Sequence, residues 1–496
     1  MRRLASIRTV LTTSCAAVLL SSCASYQGIE PTAALQPVEQ FETGRSLPAE
    51  HGQWPDASWA ASIGGAPLQT LVDEALAGNP NLQVAAARVA AARAAAEVAG
   101  ANREIKGSAA FEGTYQRYTE NGMVPAPLAG TYDSDNSLTL NFSYDFDFWG
   151  RHAAEYRSAL SQDKAAQAEQ YNARLMISTA VARAWVQLAR EYALRDLNQQ
   201  QLDVAGKLQH LMQLRLRAGL DDESNLQQVE QALAFLRAQK SSLDEGIALT
   251  RNQLAALLGK GPDRGRDIAR PQLPGESAVT LPDELPLALL GRRPDLVAAR
   301  WRVEAAQGGI DAGKAAFYPN INLTAFAGFS SLGLSNLLES GSRIAGIGPA
   351  IALPILSSGT LRGSLKQQVA NYDALVATYN QALTDALRDV ADQVQSLRAA
   401  EQQSMQQHAG TQAATASLKL AQERERVGTT NMLPVLLSQL GLLAQQRNEL
   451  DSLARRSDLR IALIKALGGG FDAQALGLNS DVAPTSTDST LVKNAS

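Results

Sequence analysis

Hydrophobic residues repeat with two different periods along this chain, and the period changes at corresponding places in its two halves. From Leu138 to Phe148, apolar and aromatic residues alternate with Thr, Asn, Ser and Asp, a period of two that predicts a strand with one apolar face. Similar alternation starts at Ala109 and at Ile321, and a weaker version starts at Ile347. The pattern therefore predicts four strands in two hairpins, 107–148 and 319–355.

Each predicted hairpin is followed by a long stretch that is rich in Ala, Gln, Leu, Arg and Glu and contains no proline. These residues favour helix, and the apolar positions recur at steps of three and four residues. Gly219 and Gly428 each end a charged segment, which is typical of a helix C-terminal glycine at a hairpin turn. We predict two long helices, each followed by a shorter return helix: 151–218 with 220–258, and 360–427 with 433–467.

An internal repeat underlies this order of elements. Three glycines of the first half recur in the second half at a constant offset of 209 residues, with similar residues around them. Equal spacing of three positions is difficult to attribute to chance, so the chain is predicted to contain two copies of one structural plan. The pairs are Gly150 with Gly359 at the strand-to-helix passage, Gly219 with Gly428 at the hairpin turns, and Gly259 with Gly468 after the return helices.

The repeat sets the expected domain organisation. A signal peptide precedes an extended, lipid-anchored segment; a proline-rich linker separates the two repeats; and a tail with many Ser, Thr and Asp residues is expected to be disordered. The predicted bounds are 1–22 for the signal peptide, 23–66 for the N-terminal segment, 67–259 for repeat 1, 260–286 for the linker, 287–468 for repeat 2 and 469–496 for the tail.

The N-terminus has the features of an export signal: a basic start, a short apolar core and the tetrapeptide Leu20-Ser21-Ser22-Cys23. The tetrapeptide resembles the bacterial lipobox, whose cysteine is acylated and becomes the first residue of the mature chain. Cys23 is therefore the predicted lipidation site, and several acyl chains suffice for stable anchoring. The absence of Asp at Ala24 resembles sorting to the outer membrane. The alternative is an ordinary cleavage site followed by a free cysteine.

Composition excludes several other classes of protein. The 45 basic and 49 acidic residues are too evenly balanced for a nucleic-acid partner. Two cysteines and four histidines supply neither a disulfide framework nor a zinc cluster, so no metal and no cofactor is expected. Ser161 and Lys164 fit an S-x-x-K pattern without its companion motifs. Asp145 and Asp147 are better explained as carboxylates that face the lumen of a barrel. We predict no catalytic residues.

The strand lengths of about 10 to 12 residues suit transmembrane β-strands. A soluble sheet with one face on a core is the alternative for the same alternation. If the strands do enter lipid, four of them cannot close a barrel, and open sheet edges are not tolerated there. Subunits would then have to share one barrel, with twelve strands from three chains or eight from two.

Three segments resemble the TolC-type outer-membrane efflux factors, in particular their lipoprotein branch. They are Ser143–Arg151 at the strand-to-helix passage, Leu285–Leu296 at the entry to the second repeat, and Ala386–Asp392. The resemblance implies a mainly α fold with a small β part: a homotrimer with a shared twelve-stranded transmembrane β-barrel, continued by an α-barrel of long helical hairpins. It also implies docking to a periplasmic adaptor and to a proton-driven inner-membrane pump, with the duct embedded in outer-membrane lipid.

One position departs from that family pattern. Family members often place an Asp nine residues after the second turn glycine, where three copies ring the periplasmic mouth; here that residue is Leu437. Leu433 and Leu440 share its helical face, so the candidate constriction is an apolar ring that gates by dewetting. Ordinary helix packing is the alternative. Asp221 and Asp222 at the first turn would either add negative potential nearby or serve a helix N-terminus.

The sequence thus predicts a passive outer-membrane exit duct of a tripartite efflux system, for drugs or other small toxic molecules. The alternative is a periplasmic, lipid-anchored adaptor or structural lipoprotein built from helical hairpins. An enzyme is a distant third hypothesis.

Overall fold

The computed structural model describes residues 25–479, except residues 44, 48–51, 276–281, 283, 284, 355 and 356. The strands are β1 (Lys106–Arg117), β2 (Tyr132–Asp145), β3 (Asn320–Leu332) and β4 (Arg343–Ala352). The helices are α1 (Trp59–Gly78), α2 (Pro80–Ala101), α3 (Arg151–Arg217), α4 (Glu223–Leu257), α5 (Asp263–Arg266), α6 (Leu285–Arg292), α7 (Pro294–Ala315), α8 (Ser358–Arg426) and α9 (Met432–Ala466). Short 3-10 helices lie at Val38–Gln40, Leu334–Asn336 and Ser340–Ser342.

The described chain forms two compact units. Unit 1 comprises residues 25–35, 89–166 and 299–379. Unit 2 comprises the described parts of 36–88, 167–298 and 380–479.

Unit 1 contains one antiparallel sheet in the order β1-β2-β3-β4. The two predicted hairpins are present, and β2 pairs with β3 to join them. Pro349 lies within β4 opposite Leu323, and β4 is at the edge of the sheet in a single chain, where prolines in sheets are usually found. The fold class predicted from the alternation, four strands beside long helices, is confirmed.

The strand register gathers the apolar residues on one face of the sheet. Phe111 pairs with Leu138, and Leu138 pairs with Phe329 across the next strand. The neighbouring row on the opposite face is polar and consists of Glu112, Ser137 and Ser330. The apolar face is nevertheless exposed: Phe111 is 59%, Leu140 52% and Ile347 76% accessible.

Helices α7 and α8 of unit 1 pack around a small apolar cluster that includes the N-terminal segment. Ile29 is buried with residues of α7 and α8, among them Ile310 and Leu365. Further along this segment, the backbone N–H and the hydroxyl of Thr32 donate to the carboxylate of Asp373 on α8, at 3.1 and 2.7 Å. The segment is thus held along α8 by both apolar and polar contacts.

In unit 2 the long helices and their return helices lie side by side in a row. Polar pairs join α4 to α3, α3 to α9, and α9 to α8, which gives the order α4-α3-α9-α8. The pairs are Arg195–Asp244 (2.7 Å) for α3 and α4, Arg190–Asp451 (2.7 Å) for α3 and α9, and His408–Glu449 (2.8 Å) for α8 and α9.

The two repeats end their return helices in the same way. Gly259 follows α4 with φ +70°, and a Cβ on it would collide with the carbonyl oxygen of Gly78, just before α2. Gly468 follows α9 with φ +89°, and a Cβ on it would collide with the carbonyl oxygen of Arg292, just before α7. Each return helix therefore ends against the start of a shorter helix. Both contacts exist because glycine has no Cβ to collide with the carbonyl.

Two segments differ from the sequence-based prediction. Residues 469–479 are not a disordered tail: Phe471 and Leu478 are buried, and the N–H of Ala473 donates to the carbonyl of Gly291 at 2.9 Å. These contacts hold the segment within unit 2. The N-terminal segment 23–66 is not wholly extended, because α1 begins at Trp59, whose buried side chain lies in the main core with Ile63.

Candidate functional site at the hairpin turns

The first hairpin turn joins α3 to α4 and is built around Gly219. This residue has φ +69°, a backbone conformation that glycine adopts without strain. Its N–H donates to the carbonyl of Leu216 at 3.0 Å, and the N–H of Leu220 donates to the carbonyl of Arg215 at 2.9 Å. These two bonds satisfy carbonyls at the helix end, as in a Schellman motif.

Both acidic residues of the first turn have local partners. Asp221 accepts from the side-chain amide of Asn225 at 2.5 Å and from the Arg215 guanidinium at 2.9 Å. These contacts, the Asn225 bond foremost, hold the pKa of Asp221 below its ordinary value. Asp222 accepts from the backbone N–H of Asn225 at 3.1 Å and caps α4. The turn therefore neutralises one carboxylate and uses the other for capping.

The second turn joins α8 to α9 with a similar geometry. Gly428 has φ +74°, and its N–H donates to the carbonyl of Glu425 at 3.0 Å. The N–H of Thr429 donates to the carbonyl of Arg424 at 2.9 Å. Asn431 caps α9 by accepting from the N–H of Leu433 at 3.0 Å. The two turns place the starts of α4 and α9 in comparable local settings.

The three leucines of the candidate constriction have different environments within one chain. Leu433 and Leu440 are partly buried against the cluster between α3 and α9, whose buried members include Leu436 and Leu443. Leu437 is 52% exposed. Helix packing thus accounts for two of the three side chains, and Leu437 alone of this set presents most of its surface outward.

The strand-to-helix passage differs between the repeats. Gly150 has φ +73° and directly precedes α3, whereas Gly359 is the second residue of α8 and is not among the residues with positive φ. Asp147 has φ +36°, and its carboxylate accepts from the N–H groups of His152 and Ala153 at 2.9 Å each. In the described structure Asp147 therefore caps α3 instead of serving as a free lumen carboxylate.

His152 forms a contact that the sequence analysis did not identify. Its Nε2 lies 3.1 Å from a carboxylate oxygen of Asp145 on β2, and its Nδ1 lies 3.1 Å from Glu155 on α3. Asn320 on β3 donates to the same Asp145 oxygen at 3.0 Å. The D-x-D spacing followed by His is the sequence signal that would have indicated this link between the sheet and the long helix.

The remaining predictions concern the N-terminus and bound groups. Cys23, the predicted lipidation site, lies outside the described residues. In the part of the chain that the structure describes, no group of three or more metal-binding side chains is found. Within that same part, no helix combines the length and the hydropathy that a membrane span requires.

A family model and two proteins of known name match most of the chain. The model of the family described as "Outer membrane efflux protein" matches residues 71–260 and 285–469. The fusaric acid resistance protein FusA of Burkholderia cepacia is 36% identical over 355 residues, which are 70% of this chain and 67% of that protein. The multidrug resistance outer membrane protein MdtP of Escherichia coli strain K12 is 28% identical over 473 residues, covering 94% of this chain and 95% of that protein.

A similar fold is found among solved structures. The outer membrane protein VceC of Vibrio cholerae is 38% identical, with a TM-score of 0.77, and the match covers 84% of this chain and all of VceC (100%). The CusC channel is 25% identical with a TM-score of 0.73, and covers 86% of this chain and 97% of CusC.

Proposed function

Since the chain belongs to the outer membrane efflux protein family, we propose that it is the outer-membrane exit duct of a tripartite efflux system. It passes drugs or other small toxic molecules passively from the periplasmic side to the exterior. The energy comes from a partner pump, and the chain itself catalyses no reaction. The observation that carries this proposal is the sheet of unit 1, which has an exposed apolar face and two edges.

In hydrocarbon, the backbone groups along such an edge have no water to bind, and each unsatisfied group costs several kcal/mol. Within the described chain, β1 pairs only with β2, and β4 pairs only with β3. Pairing β4 of one copy with β1 of the next removes every edge once the ring closes. Three copies give a barrel of twelve strands whose apolar faces meet lipid.

The row of helices in unit 2 supports the same closure. Its outer members, α4 and α8, carry exposed apolar side chains. Phe235 and Leu249 on α4 are 66% and 59% accessible, and Met405 and Leu420 on α8 are 63% and 55% accessible. A second copy that brings its α4 against α8 buries both sets, so a homotrimer completes the row as it completes the sheet.

The periplasmic mouth of this duct is proposed to lie at the two hairpin turns. Three copies of Leu437 form an apolar ring there, while Leu433 and Leu440 hold α9 against the cluster behind it. An apolar constriction resists water and ions without a fixed charge. Opening separates the turns at Gly219 and Gly428 when a periplasmic adaptor docks, and a proton-driven inner-membrane pump delivers the cargo.

The N-terminal segment supports acylation at Cys23. The described segment starts at Ser25, whose carbonyl accepts a hydrogen bond from Arg362 near the start of α8. Tyr26 packs edge-on against Phe317, shortly before β3. Cys23 precedes Ser25 by two residues in the sequence. Acyl chains on Cys23 would therefore enter the same membrane as the strands.

Mass measurement of the detergent-extracted protein, with planar-bilayer recording, tests the duct. We expect a trimer that conducts ions; a monomer without conductance refutes the proposal. Leu437→Asp should raise the preference for cations because it adds three carboxylates to the ring. Leu214→Asp, at a leucine that is 47% exposed on α3, is the matched control and should leave ion preference unchanged.

A second experiment separates the duct from a lipid-anchored adaptor. Cys23→Ser removes the acylation site, and membrane fractions are then probed for the protein. An integral barrel stays in the outer membrane after this change. An adaptor held only by its acyl chains is released, and that result would favour the alternative.

A further inference from the structure

A groove lies between α3 and α9 in unit 2, and none of the residues of the hairpin turns lines it. It encloses about 680 Å³, which is within the range of small-molecule sites. Its wall combines charged side chains from the two helices with apolar residues such as Met176 and Ala454. The charged residues are Arg183, Arg190, Asp451, Arg455, Asp458 and Lys465.

The two carboxylates of the groove are already engaged. Arg183 binds Asp458 through Nε at 2.5 Å and through Nη2 at 2.7 Å, one bond to each oxygen. Arg190 binds Asp451 at 2.7 Å. The two arginines are seven residues apart on α3, and the two aspartates are seven residues apart on α9. Both ion pairs therefore lie on the same side of the helix pair. Little carboxylate capacity is left for further cations.

Two cations in the groove have no carboxylate partner among the described residues. Arg455 lies on α9 between the two aspartates in sequence, and its guanidinium donates only to the amide oxygen of Gln403, at 3.3 Å. Lys465 lies one heptad beyond Asp458 and forms no ion pair with another described side chain. An adjoining pocket shares Lys465, but its acidic residues Asp295 and Asp389 lie 2.7 and 3.7 Å from Arg293.

The cationic groove lies on the same helical face as Leu437. Heptad steps along α9 from Leu437 reach Ala444, Asp451, Asp458 and Lys465. Residues at heptad spacing drift by only about 20° per heptad around a straight helix and keep one side of a left-handed supercoil, and none of these side chains is buried. If Leu437 faces the duct, as the proposed function holds, then Lys465 faces it too, and Arg455, four residues after Asp451 and three before Asp458, borders the same face.

We propose that this groove is a transient binding site for anionic groups, such as the carboxylates of exported molecules, inside the duct. The inference rests on the proposed function, because it takes the face of Leu437 to be the lumen face. Three copies place six unpaired cations around the conduit. A guanidinium offers a planar fork that fits a carboxylate, and a cationic wall concentrates anions within a Debye length of about 8 Å at physiological salt.

The test measures ion preference in planar bilayers across a gradient of potassium chloride. The variant Arg455→Gln/Lys465→Gln removes both cations. It leaves the two aspartates of the groove paired with their arginines. The control variant Lys207→Gln/Lys419→Gln removes two cations outside the groove, both exposed. We expect the chloride-to-potassium permeability ratio of the groove variant to fall about twofold or more, and that of the control to match the wild-type ratio.

A second measurement uses potassium acetate in place of the chloride salt, so that the probe is a carboxylate. The groove variant should again lose anion permeability, and the control should not. An unchanged ratio in a conducting groove variant, or an equal fall in both variants, overturns this inference and leaves the duct intact. A wild-type protein that does not conduct overturns the proposed function, and the inference falls with it.

Discussion

Alanine at Gly468 tests the close contact that ends the second return helix. A Cβ at this position would lie well inside 3.0 Å of the carbonyl oxygen of Arg292, so the two backbones must separate by more than about 1 Å. The left-handed backbone at φ +89° costs a residue with a Cβ about 1–2 kcal/mol. Overpacking adds about 1–3 kcal/mol. We therefore expect Gly468→Ala to lower the free energy of unfolding by about 2–5 kcal/mol.

The repeat offers an internal comparison. Gly259→Ala meets the carbonyl of Gly78 at φ +70° and should be destabilising by a similar mechanism. Gly206 lies inside α3, and an added methyl group there would meet no atom within 4 Å, so Gly206→Ala should raise stability by up to about 1 kcal/mol through helix propensity. Thermal denaturation of the detergent-solubilised variants, followed by circular dichroism, ranks the three. If Gly468→Ala melts with the wild type, or if the three variants shift alike, the reasoning from backbone contact is wrong.

Three further predictions concern local interactions. Asn225 and Arg215 hold the pKa of Asp221 low, so the ionised carboxylate stabilises the fold above the ordinary carboxyl range, and this stabilisation disappears as the pH falls through the lowered pKa. The variant Asp221→Asn should therefore melt at a lower temperature than the wild type at pH 7. A difference in melting temperature that persists at about pH 2 would contradict the assignment. Asp147→Ala should cost about 1 kcal/mol and speed hydrogen exchange in the first turn of α3, because a helix cap is lost; unchanged exchange argues against capping. Leu436→Ala should lower the free energy of unfolding by about 2–5 kcal/mol because this side chain is buried, whereas Leu437→Ala should lower it far less. Equal losses would mean that both are core residues.

Much of the fold could be predicted because two periods dominate the chain. The alternation from Leu138 is clean enough to identify a strand and its apolar face, and the proline-free stretches identify the long helices. Gly219 and Gly428 stand at turns with positive φ, as their positions after charged segments suggested. These signals are local in sequence, and local patterns survive without knowledge of the tertiary contacts.

The remaining features depend on contacts between residues far apart in the sequence. The packing of Phe471 and Leu478 was missed because the prediction took the composition of 469–496 as a whole, and the Ser, Thr and Asp residues of that segment lie mostly beyond residue 479. The environments of Leu433 and Leu437 differ because α3 covers one side of α9, which a helical face alone does not reveal. The heptad spacing of the arginines on α3 and of the aspartates on α9 is visible in the sequence, but the sequence does not show that these two helices pair with each other.

The sheet of unit 1 has a consequence for biogenesis. A single copy in the periplasm has two unpaired strand edges and an exposed apolar sheet face, and either edge can pair with a strand of another chain. In the proposed duct, oligomerisation and insertion are therefore coupled steps of maturation. A chain from which only β4 is deleted should still pair through β1 with the β4 strand of one neighbour, but it has no β4 strand to pair with the next. Its co-expression should therefore block the assembly of intact copies.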